Sequence, residues 1–346
     1  MDQLADLLRR ARCDGVDNQV PPEGVRALLA CLDQADAAAA PLSVAPPSSS
    51  SSQPAPSFGV DVCVHGPGAA GSTHLANFLL REAGLRCNLL VDPDGCRHAP
   101  WPPPPPATGG DKSGQAARPP LPSSLIYLYS DDPLLAAASF YRRGMAREQA
   151  LKISGAAGLA SAPRDFDPAP ARAALALAAA SEAAADGGGG RDGFPPTLDA
   201  LLERGDKEDP FGFDAHLSAW LTRPAAAEVV FLRYERAFEP SVAHALFRRL
   251  LREARARRRP RWQRRAEEED REDEAETEAR ADRLAQEWCA QRRQRRTQPS
   301  AEQRERGGRV FAASVARVAA LPHGGCFVRP AAASSSAPEQ WEALAS

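Results

Sequence analysis

Hydrophobic residues along the chain form three short, β-prone runs, each followed by polar turn residues and then by a helix-like repeat. The runs cover residues 58–64, 125–129 and 228–232. The first alternates apolar and polar positions, and the other two are almost wholly apolar, as is typical of strands buried on both faces of a parallel sheet. Strands that alternate with helices predict an α/β fold with a mainly parallel central sheet flanked by helices.

The apolar pattern also divides the chain into folded and low-complexity parts. Three segments inside the main domain cannot bury enough apolar surface, so we expect them to be poorly ordered insertions. The second insertion is expected to contain one alanine-rich helix. For the third, the alternative is a solvated charged helix. The predicted organisation is an N-terminal helical hairpin at 1–35, a Ser/Pro/Ala-rich linker at 36–57, a domain at 58–330 with insertions at 102–120, 155–193 and 252–300, and a tail at 331–346.

Charge and cysteine content exclude several classes of function. The 43 basic and 45 acidic residues leave a formal net charge of -2, so we expect no nucleic-acid partner. No apolar run reaches the ~18 residues of a membrane span, and the N-terminal segment does not resemble a signal peptide. The seven cysteines contain no C-x-x-C pair, which argues against a zinc site and favours a reducing compartment. These features predict a cytoplasmic protein without a metal.

A glycine-rich loop follows the first predicted strand and precedes a predicted helix. It has the spacing Gly66-x-x-x-x-Gly71-Ser72-Thr73, with Gly68 between. Backbone N–H groups of such a loop, together with the positive end of the new helix, can hold a phosphate. Ser72 stands where the Walker pattern has lysine. The alternative is an ordinary strand-to-helix turn without a ligand.

Polar residues follow the second and third predicted strands in the same way. Asp131 and Asp132 come after the run at 125–129, and Arg233, Tyr234 and Glu235 come after the run at 228–232. The carboxyl ends of parallel strands share one edge of the sheet, and ligands of open α/β sheets bind there. We therefore expect these residues to lie close to the glycine loop.

Three stretches of the chain resemble the P-loop sulfotransferases. Gly71-Ser72-Thr73-His74-Leu75 is similar to the second half of that family's phosphosulfate loop, and Phe231-Leu232-Arg233-Tyr234-Glu235 is similar to a later strand that ends in Arg-Tyr-Glu. The segment Tyr127–Pro133, with Ser139 six residues after the proline, resembles the family's 3′-phosphate site. The resemblance covers about 58–154 and 194–250, and more faintly 309–328.

This resemblance implies a three-layer P-loop fold and a sulfotransferase activity. The donor would be 3′-phosphoadenosine 5′-phosphosulfate, and the acceptor a small molecule with a hydroxyl or amine. Ser139 would contact the 3′-phosphate, and His98 would be the base, since the pKa of histidine, ~6.5, suits proton transfer near neutral pH. For both residues the alternative is structural: an exposed loop histidine and a small packed serine. The phosphosulfate would be held by Gly66, Gly68, Gly71, Ser72 and Thr73.

The chain departs from the family at three charged or polar positions. Ala69 and Ala70 stand where the family loop has lysine and serine, and Asp131 stands where an arginine holds the 3′-phosphate. Loss of a charge clamp on a transferring group commonly costs orders of magnitude in rate. Two other functions therefore stay open: a catalytically inactive P-loop fold that serves as a nucleotide-binding or structural module, and a P-loop NTPase or kinase with Asp131 as its magnesium-binding acid.

Overall fold

The computed structural model of the protein describes the glycine loop, most of the predicted sheet and the helices around it. The predicted N-terminal hairpin, the linker and the insertion at 102–120 lie outside the described residues, as does most of the insertion at 155–193. The described residues are 61–87, 98, 124–156, 171–176, 194–204, 209, 211–223, 225, 227–258, 267–292, 298–330 and 341–345.

A five-stranded mixed sheet forms the centre of the described fold, with its strands in the order β1-β2-β3-β4-β5. The first three strands are parallel, and the last two are antiparallel to their neighbours. This confirms the prediction that the three apolar runs are adjacent parallel strands, for the first run over 62–64, since 58–60 lie outside the described residues. The strands are β1 (Val62–His65), β2 (Ser124–Tyr129), β3 (Val229–Arg233), β4 (Phe327–Arg329) and β5 (Glu342–Ala343).

The edges of the sheet extend the predicted domain in two ways. Cys87 forms a parallel bridge with Val62, so the chain passes to the outer side of β1 before it returns to form β2. At the other edge, β5 pairs with β4, and Trp341 and Leu344 are buried. The prediction that 331–346 lies outside the domain is therefore wrong for 341–345, because apolar side chains in this short segment join the core.

Nine helices of the described chain surround the sheet, and residues 171–176 are also helical. Local signals mark several ends: Asp132 accepts a hydrogen bond from the Leu135 N–H at 3.1 Å, with Pro133 in the first turn. Among the described residues, none of these helices is both long and apolar enough to cross a membrane. The helices are α1 (Ser72–Arg81), α2 (Pro133–Arg142), α3 (Ala146–Ile153), α4 (Leu198–Glu203), α5 (Phe213–Thr222), α6 (Pro240–Arg258), α7 (Glu267–Ala290), α8 (Ala301–Val310) and α9 (Ala312–Ala319).

Side chains alternate between the two faces of the sheet and so create two cores. Ile126 and Val230 point to a core completed by α1, α6 and α7. Tyr127 and Phe231 point to the opposite core, which α5 and α9 complete. A third apolar cluster, around Phe211, joins α2, α3, α4 and the start of α5.

The charged segment 252–300 is helical over 252–258 and 267–290, so the prediction of a poorly ordered insertion is wrong for these residues, and the alternative of a charged helix is the better one. The basic end of α6 lies against the acidic part of α7, and opposite charges pair between the two helices. Helix α7 also buries Leu284 and Trp288 against α6. Composition alone does not reveal this packing, because the charges of each helix are neutralised only by ion pairs with the other helix. The ion pairs are Arg248–Glu278, Arg252–Glu274 and Arg255–Asp273.

Candidate functional site

The glycine loop, residues 66–71, joins β1 to α1 at the carboxyl end of the parallel strands. Gly66 and Gly71 have positive φ angles of 149° and 77°, which L side chains rarely adopt. A Cβ atom on Gly66 would collide with the carbonyl of Leu128, and one on Gly71 would lie 2.6 Å from the ring of Tyr234. Glycine is therefore required at both positions by close packing against β2 and against the residue that follows β3.

Helix α1 begins at Ser72, directly after the loop. The Gly71 carbonyl accepts the first intrahelical bond, from the Leu75 N–H at 2.9 Å, and Gly71 has no side chain with which to cap the helix. Ser72 is buried and Thr73 is exposed. The positive end of the helix dipole thus lies at the loop, with the Thr73 hydroxyl on the solvent side.

His98 lies at the glycine loop, with its Nδ1 atom 2.7 Å from the Gly66 carbonyl oxygen. The ring also approaches Gly68, where its Cε1 atom is 3.4 Å from the position that a Cβ atom would take. The structure therefore brings the predicted base next to the predicted phosphate loop. A carbonyl oxygen only accepts hydrogen bonds, so Nδ1 must carry the proton in this contact.

The tip of the loop at Gly68 is enclosed by side chains as well. The Gln149 Oε1 atom is 3.2 Å from the position of a Cβ on Gly68. Gln149 is 5% exposed, and its Oε1 has no hydrogen-bond partner in the described structure. A rotation of the amide by 180° would present its NH₂ group at the same place. Gln149 is a site residue that the sequence pattern did not indicate.

Charged groups do lie together after β2 and β3, as predicted. Arg233 forms an ion pair with Asp131, and its Nε atom is 3.8 Å from Glu235 Oε2. Glu235 also accepts from the Ser130 hydroxyl at 2.7 Å and from the Asp131 N–H at 3.2 Å. Two carboxylates thus share one guanidinium, and the cluster carries a net negative charge.

Ser139 lies in the second half of α2. Its carbonyl accepts from the Arg143 Nε atom at 3.1 Å, and the Arg143 guanidinium stacks 5.6 Å from the Phe140 ring centre. Arg143 is thus held at the end of α2, and burial lowers its pKa below the ordinary arginine value. The contact of Ser139 with a 3′-phosphate stays a prediction.

A small pocket of about 30 Å³ borders the loop at Pro67 and Gly68. Tyr129 and Phe213 contribute aromatic walls. The Ser314 hydroxyl is the notable polar group: Ser314 is 4% exposed, lines the pocket and has no hydrogen-bond partner in the described structure. The lining is mostly apolar, and the space has room for about one or two water molecules.

No protein-family model, curated protein sequence or solved structure matches the chain. Function must therefore be argued from the chemistry of the site itself. Among the described residues, no group of three His, Cys, Asp or Glu side chains is arranged to hold a metal ion.

The glycine loop and the Asp131 cluster differ in the charge that they would present to an anion. At the loop, backbone N–H groups, the start of α1, the Thr73 hydroxyl and the Gln149 amide can all donate to an anion. At the Asp131 cluster, by contrast, the excess carboxylate disfavours a second phosphate. The site thus combines an uncharged glycine loop, a histidine and a small apolar pocket, next to an acidic cluster.

Proposed function

We propose that the chain is a sulfotransferase-like protein that uses 3′-phosphoadenosine 5′-phosphosulfate as donor and His98 as the base for a small hydroxyl or amine acceptor. The observation that carries the proposal is the 2.7 Å contact between His98 Nδ1 and the Gly66 carbonyl. With Nδ1 protonated, a neutral imidazole has its lone pair on Nε2. A base beside an anion-binding loop is the arrangement that proton removal from an acceptor requires.

The loop residues would hold the phosphosulfate end of the donor. Gly66, Gly68 and Gly71 would give it backbone N–H groups, while Thr73 and Gln149 would add side-chain donors. When bound, the donor supplies an activated sulfo group. The chain itself orients the two reactants and accepts a proton at His98 Nε2.

The pocket beside the loop would hold the acceptor after its walls move apart, since a volume of about 30 Å³ is too small for a phenol. Its mostly apolar walls favour a phenol, alcohol or amine with a small hydrocarbon body, and the Ser314 hydroxyl offers one hydrogen bond. Water is displaced from such a surface when an apolar ligand enters, which favours binding.

The test compares His98→Asn with the wild-type chain. Asparagine keeps a donor near the position of Nδ1 and removes the base. We expect turnover with radiolabelled donor and a panel of small phenols, alcohols and amines to fall by roughly 10²- to 10⁴-fold. Affinity for 3′-phosphoadenosine 5′-phosphate, measured by calorimetry, should stay the same. Thr73→Ala is the matched control, and it should weaken nucleotide binding instead, by roughly two- to tenfold.

Two results would overturn the proposal. One is a wild-type chain that does not bind 3′-phosphoadenosine 5′-phosphate. The other is a His98→Asn variant with full transfer activity. A thermal shift with ATP–Mg²⁺ in place of 3′-phosphoadenosine 5′-phosphate would instead favour a P-loop NTPase or kinase, since a ligand of the folded state raises its stability by mass action.

A non-catalytic nucleotide-binding module is the second candidate, and the Asp131 cluster favours it. Arg233 is shared by two carboxylates, and Ala69 supplies no cation at the loop. Such a module would bind 3′-phosphoadenosine 5′-phosphate weakly and transfer nothing to any acceptor. Ala69→Lys should then strengthen binding, because a cation at the loop forms charge-assisted hydrogen bonds with phosphate. A working enzyme should gain little from the same change.

A further inference from the structure

A buried hydrogen-bond chain connects the middle of the sheet to His98. The Tyr127 hydroxyl on β2 lies 2.8 Å from His216 Nδ1, and His216 Nε2 lies 3.1 Å from the backbone carbonyl oxygen of His98. Tyr127 and His216 are both 0% exposed. The chain continues from the His98 ring to the Gly66 carbonyl.

Only one direction of donation satisfies every member of this chain. The His98 carbonyl can only accept, so His216 carries its proton on Nε2. A neutral His216 then accepts at Nδ1, and the Tyr127 hydroxyl must donate to it. Burial raises the pKa of Tyr127 far above its ordinary value, so the hydroxyl keeps its proton. His98 in turn donates from Nδ1 to Gly66.

Packing holds the first two members in place. The Tyr127 ring centre lies 5.0 Å from that of Trp220 and 5.4 Å from that of Phe231. His216 is on the buried face of α5, next to Leu217. Polar groups in such a position are costly unless they are paired, and an apolar pair would fill the same space without that requirement. Here the pairing of His216 reaches the backbone carbonyl of His98.

We propose that Tyr127 and His216 are positioning residues that fix His98 in the Nδ1-protonated form, so that Nε2 is its basic atom. His216 holds the backbone of His98, and the fixed backbone keeps the ring against the Gly66 carbonyl. The role of Nε2 as a base rests on the proposed function, whereas the orientation of the ring does not.

The tautomer of His98 can be measured directly by long-range ¹H–¹⁵N spectra of the full chain labelled at its 6 histidines. Signals of His98 are identified by their loss in His98→Asn. In the wild-type chain at neutral pH we expect His98 to be protonated on Nδ1 and His216 on Nε2. In Tyr127→Phe the ratio of the Nδ1-protonated to the Nε2-protonated form of His98 should fall by roughly two- to tenfold, as expected for the loss of one hydrogen bond.

Two further variants separate positioning from general loss of structure. Tyr129→Phe is the matched control, because it removes a buried hydroxyl from the same strand. The Tyr129 hydroxyl donates to the Gly325 carbonyl at 2.6 Å and not to His216. It should leave the tautomer ratio unchanged. His216→Gln restores a donor near Nε2 and should recover part of the ratio that His216→Leu loses. Melting curves of each variant verify that it is folded.

The outcomes distinguish this inference from the proposed function. The inference is overturned if wild-type His98 is protonated mainly on Nε2, or if Tyr127→Phe and Tyr129→Phe give the same ratio. If the ratio behaves as expected but no 3′-phosphoadenosine 5′-phosphate binds, the ring is positioned and the proposed function is wrong. If transfer depends on His98 while Tyr127→Phe leaves the ratio unchanged, the function stands and the positioning role is wrong.

Discussion

Arg329 on β4 offers a sharp test of the energetics of this fold, since it is a buried cation with few partners. The residue is 2% exposed, and its Nη1 atom donates to the Arg223 carbonyl at 2.6 Å. Its Nε and Nη2 atoms are buried without a hydrogen-bond partner in the part of the chain that the structure describes. We predict that Arg329→Met stabilises the protein.

The magnitude follows from the cost of burying the charge. Burial lowers the pKa of Arg329 from the ordinary arginine value to about 10. At 1.36 kcal/mol per pKa unit, this corresponds to ~3 kcal/mol of lost stability. The folded-state pKa is the lower one, so the loss is fully present at neutral pH and shrinks only above about pH 10. Methionine gives up the bond to the Arg223 carbonyl, which costs about 1 to 2 kcal/mol. The net gain is therefore about 1 to 2 kcal/mol.

Urea and thermal unfolding at pH 7 measure the change in free energy of unfolding. A gain of 1 kcal/mol should raise Tm by about 2 to 4 °C in a domain of this size. Arg317→Met is the matched control, since Arg317 is partly exposed and its Nη2 atom donates to Asp214 Oδ2 at 2.9 Å. This control should change the free energy of unfolding by less than about 1 kcal/mol. A loss of more than 1 kcal/mol in Arg329→Met would refute the reasoning, because it would mean that Arg329 has an anionic partner.

Three further predictions concern other parts of the molecule. Gly71→Val should lower Tm as well as the proposed nucleotide binding, because the new side chain meets the Tyr234 ring at a φ of 77°. Adding Tyr234→Ala should restore part of the lost Tm, and a double variant with no recovery of Tm would contradict this explanation. Loss of hydration raises the pKa of Asp209 to about 7, so the folded state keeps a proton that the unfolded chain loses near pH 4. Stability should therefore fall between pH 4 and pH 7, and Asp209→Asn should flatten that part of the Tm profile. Trp288→Ala should lower the free energy of unfolding, measured in urea, by about 3 to 5 kcal/mol. Leu80→Ala removes a side chain that is 40% exposed, and it should change this free energy by no more than about 0.5 kcal/mol. Equal effects of the two variants would mean that α7 is not part of the core.

The sheet was largely predictable because its strands are locally distinctive. Runs such as Leu125–Tyr129 are apolar throughout, and their order along the chain implies parallel neighbours. Strand β5 was missed because it has two residues and depends on β4 for its definition. The α6–α7 hairpin was missed for a related reason. Charge complementarity between two segments is a property of the pair, and composition describes each segment alone.

The candidate site divides in the same way between local and distant features. The glycine loop can be recognised from spacing within six residues, and His98 was indicated by the family resemblance. The hydrogen-bond chain cannot be recognised in the sequence, because His216 is 118 residues from His98 and 89 residues from Tyr127. Gln149 and Ser314 likewise enter the site through tertiary packing. A histidine on the buried face of α5 is the only local signal that could have suggested His216.

In the proposed sulfotransferase, the balance of charge at the carboxyl ends of the strands would separate nucleotide binding from chemistry. Arg233 contacts Asp131 and lies near Glu235, so an incoming phosphate must compete with two carboxylates for one guanidinium. Each of these side chains is about 30% exposed, which weakens the competition through solvent screening without removing it. His98, by contrast, contacts the Gly66 carbonyl and a buried network of Tyr127 and His216. Changes at Asp131 should therefore act mainly on nucleotide affinity, and changes at His216 mainly on the competence of the base, so the two properties can be lost independently.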